Sequence, residues 1–170
     1  MSVNSERPHV LVLPEDQANR EIANGFQLHP SVDPRRIQVM KDLGGWTRVL
    51  DEFERVYVSK LNQNPNYHIV MLIDFDGKSD RRAQVDGHIP DGLRDRVFVI
   101  GVLSQPEKLK EDKNLAFEKI GQELAEDCPT QPDGIWNHDL LKHNAVELGR
   151  MWKTLGAILF PSKADSRRGQ

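Results

Sequence analysis

The chain has little cysteine: Cys128 is the only one among 170 residues. A single cysteine cannot form an intramolecular disulfide and cannot hold a zinc ion by itself, so a disulfide framework and a cysteine-based zinc site are both excluded. This composition agrees with a reducing compartment. We expect Cys128 to be a structural residue rather than a nucleophile.

Long apolar runs are also lacking. No stretch of the sequence approaches the roughly 18 consecutive apolar residues that a membrane-spanning helix needs. Residues 1–8 are polar and lack the basic segment followed by an apolar one that marks a secretion signal. These features predict a cytoplasmic protein without a membrane partner.

An excess of positive charge is absent as well, since the formal net charge is −3. A protein that binds nucleic acid over its whole surface normally carries a strongly basic face. Any polyanion must therefore be bound locally, or through metal ions and partner proteins.

The chain does have enough apolar residues for a core, with 38% hydrophobic and 29% charged residues. Its length fits one compact domain. We predict a single domain over residues 9–160, with flexible polar tails at residues 1–8 and 161–170.

The apolar pattern predicts an α/β fold. Strands are predicted at residues 9–13, 36–40, 69–73 and 96–102. Apolar residues with helical spacing follow the first strand, occur again over residues 46–61, and return in the C-terminal part. Because the later strands are apolar throughout, we expect a mostly parallel sheet of about four strands that is covered by helices on both faces. Residues 77–95 are predicted to form a long loop at its carboxyl edge.

The sequence Asp74-Phe75-Asp76-Gly77 directly follows an apolar strand. In extended backbone Asp74 and Asp76 point the same way, while Phe75 points to the opposite face and can pack. Paired carboxylates are the ligands that Mg²⁺ prefers, and Gly77 would let the chain turn beneath an ion. A plain strand-end turn is the alternative explanation.

Two further acids, Glu15 and Asp16, follow the first strand. Asp16 suits the N-terminus of the next helix, where a carboxylate accepts from free amides. Glu15 is nearer the strand and is the better candidate for a metal ligand or a proton-transfer group. In a parallel sheet both strands end at the same edge, so Glu15, Asp74 and Asp76 are expected to meet there.

Residues near this edge extend the predicted site. Glu107, after the last strand, is a candidate ligand for a second metal ion, although it also suits the first turn of a helix. Lys78, Arg81 and Arg82 are candidate contacts for nucleic-acid phosphates. His138 and His143 do not have the four-residue spacing of a helical zinc site and are expected to be structural. Trp136 is predicted to fill a gap or to stack on a base.

The pattern resembles the Toprim fold, and within it the small stand-alone Toprim-like nucleases related to the overcoming-lysogenization-defect family. The resemblance depends on residues 10–15 as the first strand with its glutamate, on Gly44 and Gly45 before the second helix, and on residues 69–76 as the strand with its Asp-x-Asp.

This resemblance implies Glu15 as the general base or acid, and Asp74 and Asp76 as ligands of Mg²⁺ or Mn²⁺ in phosphodiester cleavage or transfer. It also implies DNA or RNA as substrate, an ATPase or other protein subunit as partner, and a role in phage defence or mobile elements. A homo-oligomer is equally compatible with the sequence.

Three other functions stay open. Acids after the first strand, Asp74 after the third and Ser104 after the fourth are typical of a receiver-like signalling domain, although a fifth strand with its lysine is not evident. The Asp-x-Asp-Gly sequence also matches the nucleophile motif of haloacid dehalogenase-like phosphatases. A non-catalytic subunit of a larger complex is the remaining alternative.

Overall fold

A computed structural model of the protein describes residues 7–129 and 134–163. Most of the two predicted tails, residues 1–6 and 164–170, therefore lies outside the described residues. Within the described part, no helix has the length and apolar character to cross a membrane.

Four strands form one parallel sheet in the order β2-β1-β3-β4. The strands are β1 (His9–Pro14), β2 (Ile37–Val39), β3 (Tyr67–Leu72) and β4 (Val97–Ile100). The prediction of an α/β fold with a mostly parallel sheet is confirmed. The chain turns to one side of β1 to form β2 and then crosses to the other side to form β3. The carboxyl ends of β1 and β3 therefore meet where the strand order reverses, which is the usual ligand site of open α/β sheets.

Helices cover both faces of the sheet. They are α1 (Gln17–Leu28), α2 (Trp46–Glu52), α3 (Val58–Gln63), α4 (Arg81–Asp86), α5 (Pro106–Lys113), α6 (Phe117–Glu126) and α7 (Ala145–Leu159). A π-helical turn, Phe53–Tyr57, joins α2 to α3, so the predicted second helix is present with one irregular turn. Three helices, α5 to α7, form the predicted helical C-terminal part.

Alternation along the strands builds two cores. Val10 and Val12 of β1 pack in a cluster with α1, α6 and α7, whereas Leu11 and Leu13 pack on the opposite face with α2 and α3. β3 alternates in the same way. Because β1, β3 and β4 bury side chains on both faces, their sequences are mostly apolar. The edge strand β2 differs, since its central residue Gln38 is exposed.

The long loop predicted at residues 77–95 is wrong. This segment contains α4 and a 3₁₀ turn, Asp91–Arg96. The apolar residues Val85, Ile89 and Leu93 recur every fourth position and are all buried in the core that contains α2 and α3. This four-residue spacing indicates helical structure. It was missed because charged residues surround these three positions and each turn buries only one apolar side chain.

The residues that were expected to be structural do pack inside. Trp136 is buried and its Nε1 donates to the Leu124 carbonyl at 2.9 Å, so it fills a gap in the core. Burial raises the pKa of the Cys128 thiol to about 12, which keeps it protonated and unreactive. Lys163 donates to the carbonyls of Ala125, Glu126 and Cys128, at and just after the end of α6.

Candidate functional site

Glu15 and Asp74 meet at the carboxyl edge of the sheet. Pro14 of β1 pairs with Leu72 of β3, so the residues that follow each strand are neighbours. The Glu15 amide donates to the Leu72 carbonyl at 2.9 Å, and the Asp74 amide donates to Glu15 Oε2 at 2.6 Å. The predicted convergence of these two acids is therefore present.

The Gly44-Gly45 loop holds the backbone of Glu15, whereas Asp74 contacts its side chain. Both glycine amides donate to the Glu15 carbonyl, at 2.7 and 3.1 Å. Their φ angles of 88° and 151° lie in the region that favours glycine, and α2 begins at the next residue. The loop holds the backbone of Glu15 and leaves its carboxylate directed to Asp74.

Asp74 is held by a residue that the sequence did not indicate. Its side chain is buried, and Oδ1 accepts from Asn19 Nδ2 at 2.9 Å. The same Asn19 nitrogen donates to Asp16 Oδ1 at 3.0 Å, and Asp16 caps α1 by accepting from the Asn19 amide. Asp16 thus has the capping role expected of it. Asn19, fully buried on the first turn of α1, connects that cap to Asp74.

Asp76 has a different environment from Asp74. Its backbone is left-handed, with φ of 49°, and Gly77 follows with φ of 70°. The two acids therefore do not share the extended backbone that the sequence analysis assumed, although Phe75 between them is buried as expected. Asp76 Oδ2 accepts from Arg81 Nη1 at 2.7 Å. The amides of Asp76 and Gly77 donate to carbonyls of the segment after β4, which fixes this turn.

Arg81 lies inside the site rather than on its surface. Its side chain is only 9% exposed, and Nη1 donates both to Asp76 Oδ2 and, at 2.9 Å, to the Asp74 carbonyl. The guanidinium carbon lies 4.2 Å from the ring centroid of Trp46, in cation–π geometry. Arg81 is the cation closest to the acidic edge.

Burial perturbs two of the carboxyl groups. Desolvation raises the pKa of Asp74 to about 8, opposed by the hydrogen bond from Asn19. Desolvation also raises the pKa of Glu15, opposed mainly by the hydrogen bond from the Asp74 amide. Perturbed acids that cluster at a strand-end cleft are typical of functional sites.

Replacing Asp74 by asparagine is expected to stabilise the protein at alkaline pH. A carboxyl whose folded pKa is raised contributes stability below its unfolded pKa, near 3.8, and this contribution is lost as pH rises to about 8. Relative to wild type, Asp74→Asn should thus gain nothing near pH 4 and about 6 kcal/mol at pH 9, since the folded pKa lies about four units above the unfolded one. Urea unfolding at several pH values in EDTA measures this difference.

The exposed Asp139 provides the matched control for that experiment. The hydrogen bond from Lys142 lowers the pKa of Asp139, so Asp139→Asn removes a favourable contact and should give no gain at alkaline pH. Equal pH profiles for Asp74→Asn and wild type would contradict the burial of an ionisable Asp74.

The other predicted site residues are distributed around this centre. Lys78 is exposed next to the Asp76 turn. Arg82 turns inward, where its guanidinium donates to the Val99 carbonyl and to Asn144 Oδ1, so it serves the packing of α7 on β4. Glu107 is exposed in the first turn of α5, the helix-terminal position that the sequence also allowed.

The two histidines are structural, as expected. His143 Nε2 lies 2.8 Å from the Gly101 carbonyl, and its ring packs edge-on against Phe75 at 4.7 Å. His138 Nδ1 accepts from the Leu140 amide within its own turn. His143 therefore supports the Asp74–Gly77 turn from behind without reaching the carboxylates.

Comparison with known proteins assigns no family. No protein-family model matches the chain, and no curated protein or solved structure matches it. The function of this edge is therefore inferred from its residues and their geometry.

The acidic edge has the donor chemistry for a magnesium ion, since Glu15, Asp74 and Asp76 offer only oxygen atoms. The arrangement does not fit, however. Among residues 7–129 and 134–163, no group of three or more His, Cys, Asp or Glu side chains is placed to hold a metal ion. Asp76 is paired with Arg81, and Glu107 is not brought into such a group. The metal ligands thus stay a prediction.

Proposed function

We propose that the carboxyl edge of this sheet is the active site of a Toprim-like enzyme that cleaves or transfers phosphodiester bonds of DNA or RNA with Mg²⁺ or Mn²⁺. One observation carries the proposal. Glu15 and Asp74, buried and 2.6 Å apart from carboxylate oxygen to amide nitrogen, meet at the point where the strand order reverses.

Glu15 is the general base or acid of this proposal. Efficient proton transfer near neutral pH needs a carboxyl whose pKa is raised from its solution value, and desolvation raises the pKa of Glu15. The Asp74 amide fixes Oε2, and the Gly44 and Gly45 amides fix the backbone carbonyl. These two sets of hydrogen bonds support Glu15 as a well-ordered proton-transfer group at the carboxyl edge of the sheet.

Asp74 and Asp76 are the proposed metal ligands, with Asn19 as the residue that orients Asp74. The exposure of Lys78, two residues after Asp76, supports it as a contact for a phosphate of the nucleic acid.

A partner belongs to the proposal, because two of the three predicted phosphate contacts have partners within the fold. Of the predicted phosphate contacts, Arg82 is used within the fold and Arg81 is paired with Asp76. An ATPase, another protein subunit or a second copy of the chain would supply the missing contacts. A role in phage defence is part of the proposal through the family resemblance alone.

The phosphoacceptor alternatives have less support. A receiver or a dehalogenase-like phosphatase needs an aspartate that can attack a phosphoryl group as an exposed carboxylate. Asp74 is only 5% exposed and its Oδ1 is bound by Asn19, whereas Asp76 is paired with Arg81. The fifth strand of a receiver is also absent from the four-stranded sheet that the described residues form.

The test is a cleavage and transfer assay of the purified chain on single- and double-stranded DNA and RNA, with Mg²⁺, Mn²⁺ or EDTA. We expect activity with a divalent ion, none in EDTA, and a loss of activity in Asp74→Asn and Asp76→Asn. Full activity of the two variants would refute the assignment. A labile acyl phosphate formed from a small phosphodonor would favour the receiver. If neither metal ion supports cleavage and neither raises Tm, a non-catalytic subunit is favoured.

A further inference from the structure

A cavity of about 80 Å³ lies in the core between α1 and α7. Its floor is one face of the sheet, formed by Val10 and Val12 of β1 and Val70 of β3. Protein interiors contain few voids larger than a water molecule, so a cavity of this volume is a distinct feature of the core. It is separate from the acidic edge, whose carboxylates are not among its lining residues.

Short side chains and the helix arrangement leave this space open. The backbones of α1 and α6 touch, since a Cβ at Gly121 would lie 1.9 Å from the Ile22 carbonyl oxygen. On the side towards α7, the residues Ala23 of α1 and Gly156 of α7 line the cavity and are too short to fill it. The indole of Trp152 lies against Gly156, where a Cβ would be 2.9 Å from ring carbon Cδ2. Because α1 is held against α6, the space between α1 and α7 stays unfilled.

The lining is apolar. Among the described residues that line the cavity, none is charged, and most have hydrocarbon side chains only. Trp136 Nε1 already donates to the Leu124 carbonyl, and Cys128 has a protonated thiol, which forms only weak hydrogen bonds. A water molecule would have few partners in this cavity. Apolar cavities of this kind stay dry and accept apolar molecules.

The outer wall of the cavity consists of partly exposed side chains of the two helices. These are Phe26 of α1 and Met151 and Trp152 of α7. Phe160 lies between them, with its ring centroid 5.6 Å from that of Phe26 and 5.7 Å from that of Trp152. The shortest route from solvent to the cavity is therefore past these side chains, between α1 and α7.

We propose that this cavity binds the end of an alkyl chain, about three carbon atoms long, of an aliphatic ligand whose polar part stays outside the wall formed by Phe26 and Trp152. A volume of about 80 Å³ has room for about three groups of the size of a water molecule, at roughly 30 Å³ each, and a methylene group is of similar size. The inference does not involve the acidic edge, so it and the proposed function can fail independently.

Methyl ¹H–¹³C spectra of the purified chain test the site, with propane, 1-pentanol and acetone as probes. Propane represents the alkyl segment alone, 1-pentanol a chain with a polar end, and acetone a polar molecule of the size of propane. We expect saturable shifts of the Val10 and Val70 methyl signals with propane and 1-pentanol, and none with acetone. The propane Kd should be on the order of 1 mM or weaker, the limit for so few atoms. Leu13 and Val99, in the core with α2 and α3, should not respond.

Two variants locate the binding. Ala23→Val adds two carbon atoms at the cavity wall and should weaken propane binding about tenfold, because it takes up part of the apolar space. Ala157→Val adds the same atoms at an exposed position of α7 and should leave the affinity unchanged.

Each contrary result overturns a stated part of the proposal. No saturable shift at Val10 and Val70 with propane would refute the site. Shifts with propane but not with 1-pentanol would refute a chain end as the ligand, and equal shifts with acetone would refute an apolar preference. Unchanged affinity in a folded Ala23→Val would place the binding elsewhere. Should Ala23→Val not fold, as judged from its thermal melt, the wild-type titrations decide alone.

Discussion

If the proposed metal-dependent reaction takes place, replacing Glu15 by glutamine is expected to lower its turnover by about 10²- to 10⁴-fold. Glutamine has the same shape and keeps a carbonyl oxygen for the hydrogen bond from the Asp74 amide. It cannot take up or release a proton at that position. The loss should therefore appear in kcat, measured with saturating nucleic acid and metal ion.

The fold is not expected to suffer from this change. Desolvation raises the pKa of Glu15, so burying the ionised group disfavours the folded state, and a neutral glutamine should leave Tm at pH 8 unchanged or higher. The exposed Glu118, in the first turn of α6, is the matched control because its glutamine variant removes a carboxylate far from the edge. A Glu15→Gln protein that keeps its fold and most of its kcat would remove Glu15 from the chemistry.

The pH profile adds a second check on the same residue. A general base must be ionised, so kcat of wild type should rise with pH through a pKa above the usual range of glutamate. In Glu15→Gln the residual activity should no longer show this rise of kcat with pH. A rise that persists unchanged would assign the titration to another group.

The sheet could be predicted from the sequence because its two central strands, β1 and β3, bury both faces. Residues 10–13 and 69–73 are apolar without interruption, and such runs have few alternatives to a central parallel strand. The convergence of Glu15 and Asp74 followed from the same logic, since parallel strands end at one edge. Position along the chain was enough for both inferences.

The remaining geometry of the site could not be predicted, because it depends on contacts between distant segments. Asn19 resembles any polar residue on a helix, and only its burial against Asp74, 55 positions away, gives it a role. Arg82 resembled a surface cation beside an acidic edge, yet its guanidinium bonds Asn144, 62 positions away. The prediction of extended backbone at Asp76 was wrong because β3 already ends at Leu72, before the Asp74–Gly77 motif begins.

The contact between α1 and α6 is the clearest example of what the sequence does not show. Their backbones touch: a Cβ at Gly25 would lie 1.9 Å from the Glu118 carbonyl oxygen. A Cβ at Gly121 would lie 1.9 Å from the Ile22 carbonyl oxygen and 2.6 Å from the Phe26 amide nitrogen. In the sequence alone, glycine inside a helical pattern only lowers the expected stability of the helix.

Replacing Gly121 by alanine is therefore expected to destabilise the protein by at least about 4 kcal/mol, measured as the free energy of unfolding in urea. The added methyl group meets backbone atoms, which cannot rotate away, so α6 must move off α1 and expose the core between them. Gly149 is the matched control, because it is also inside a helix but has open space where its Cβ would be. Alanine there should instead stabilise by about 0.5–1 kcal/mol. Asp16 and Asn19 lie at the start of α1, so a shift of α1 against α6 would also release Asp74. A small effect of Gly121→Ala on the free energy of unfolding would contradict the close packing of these two helices.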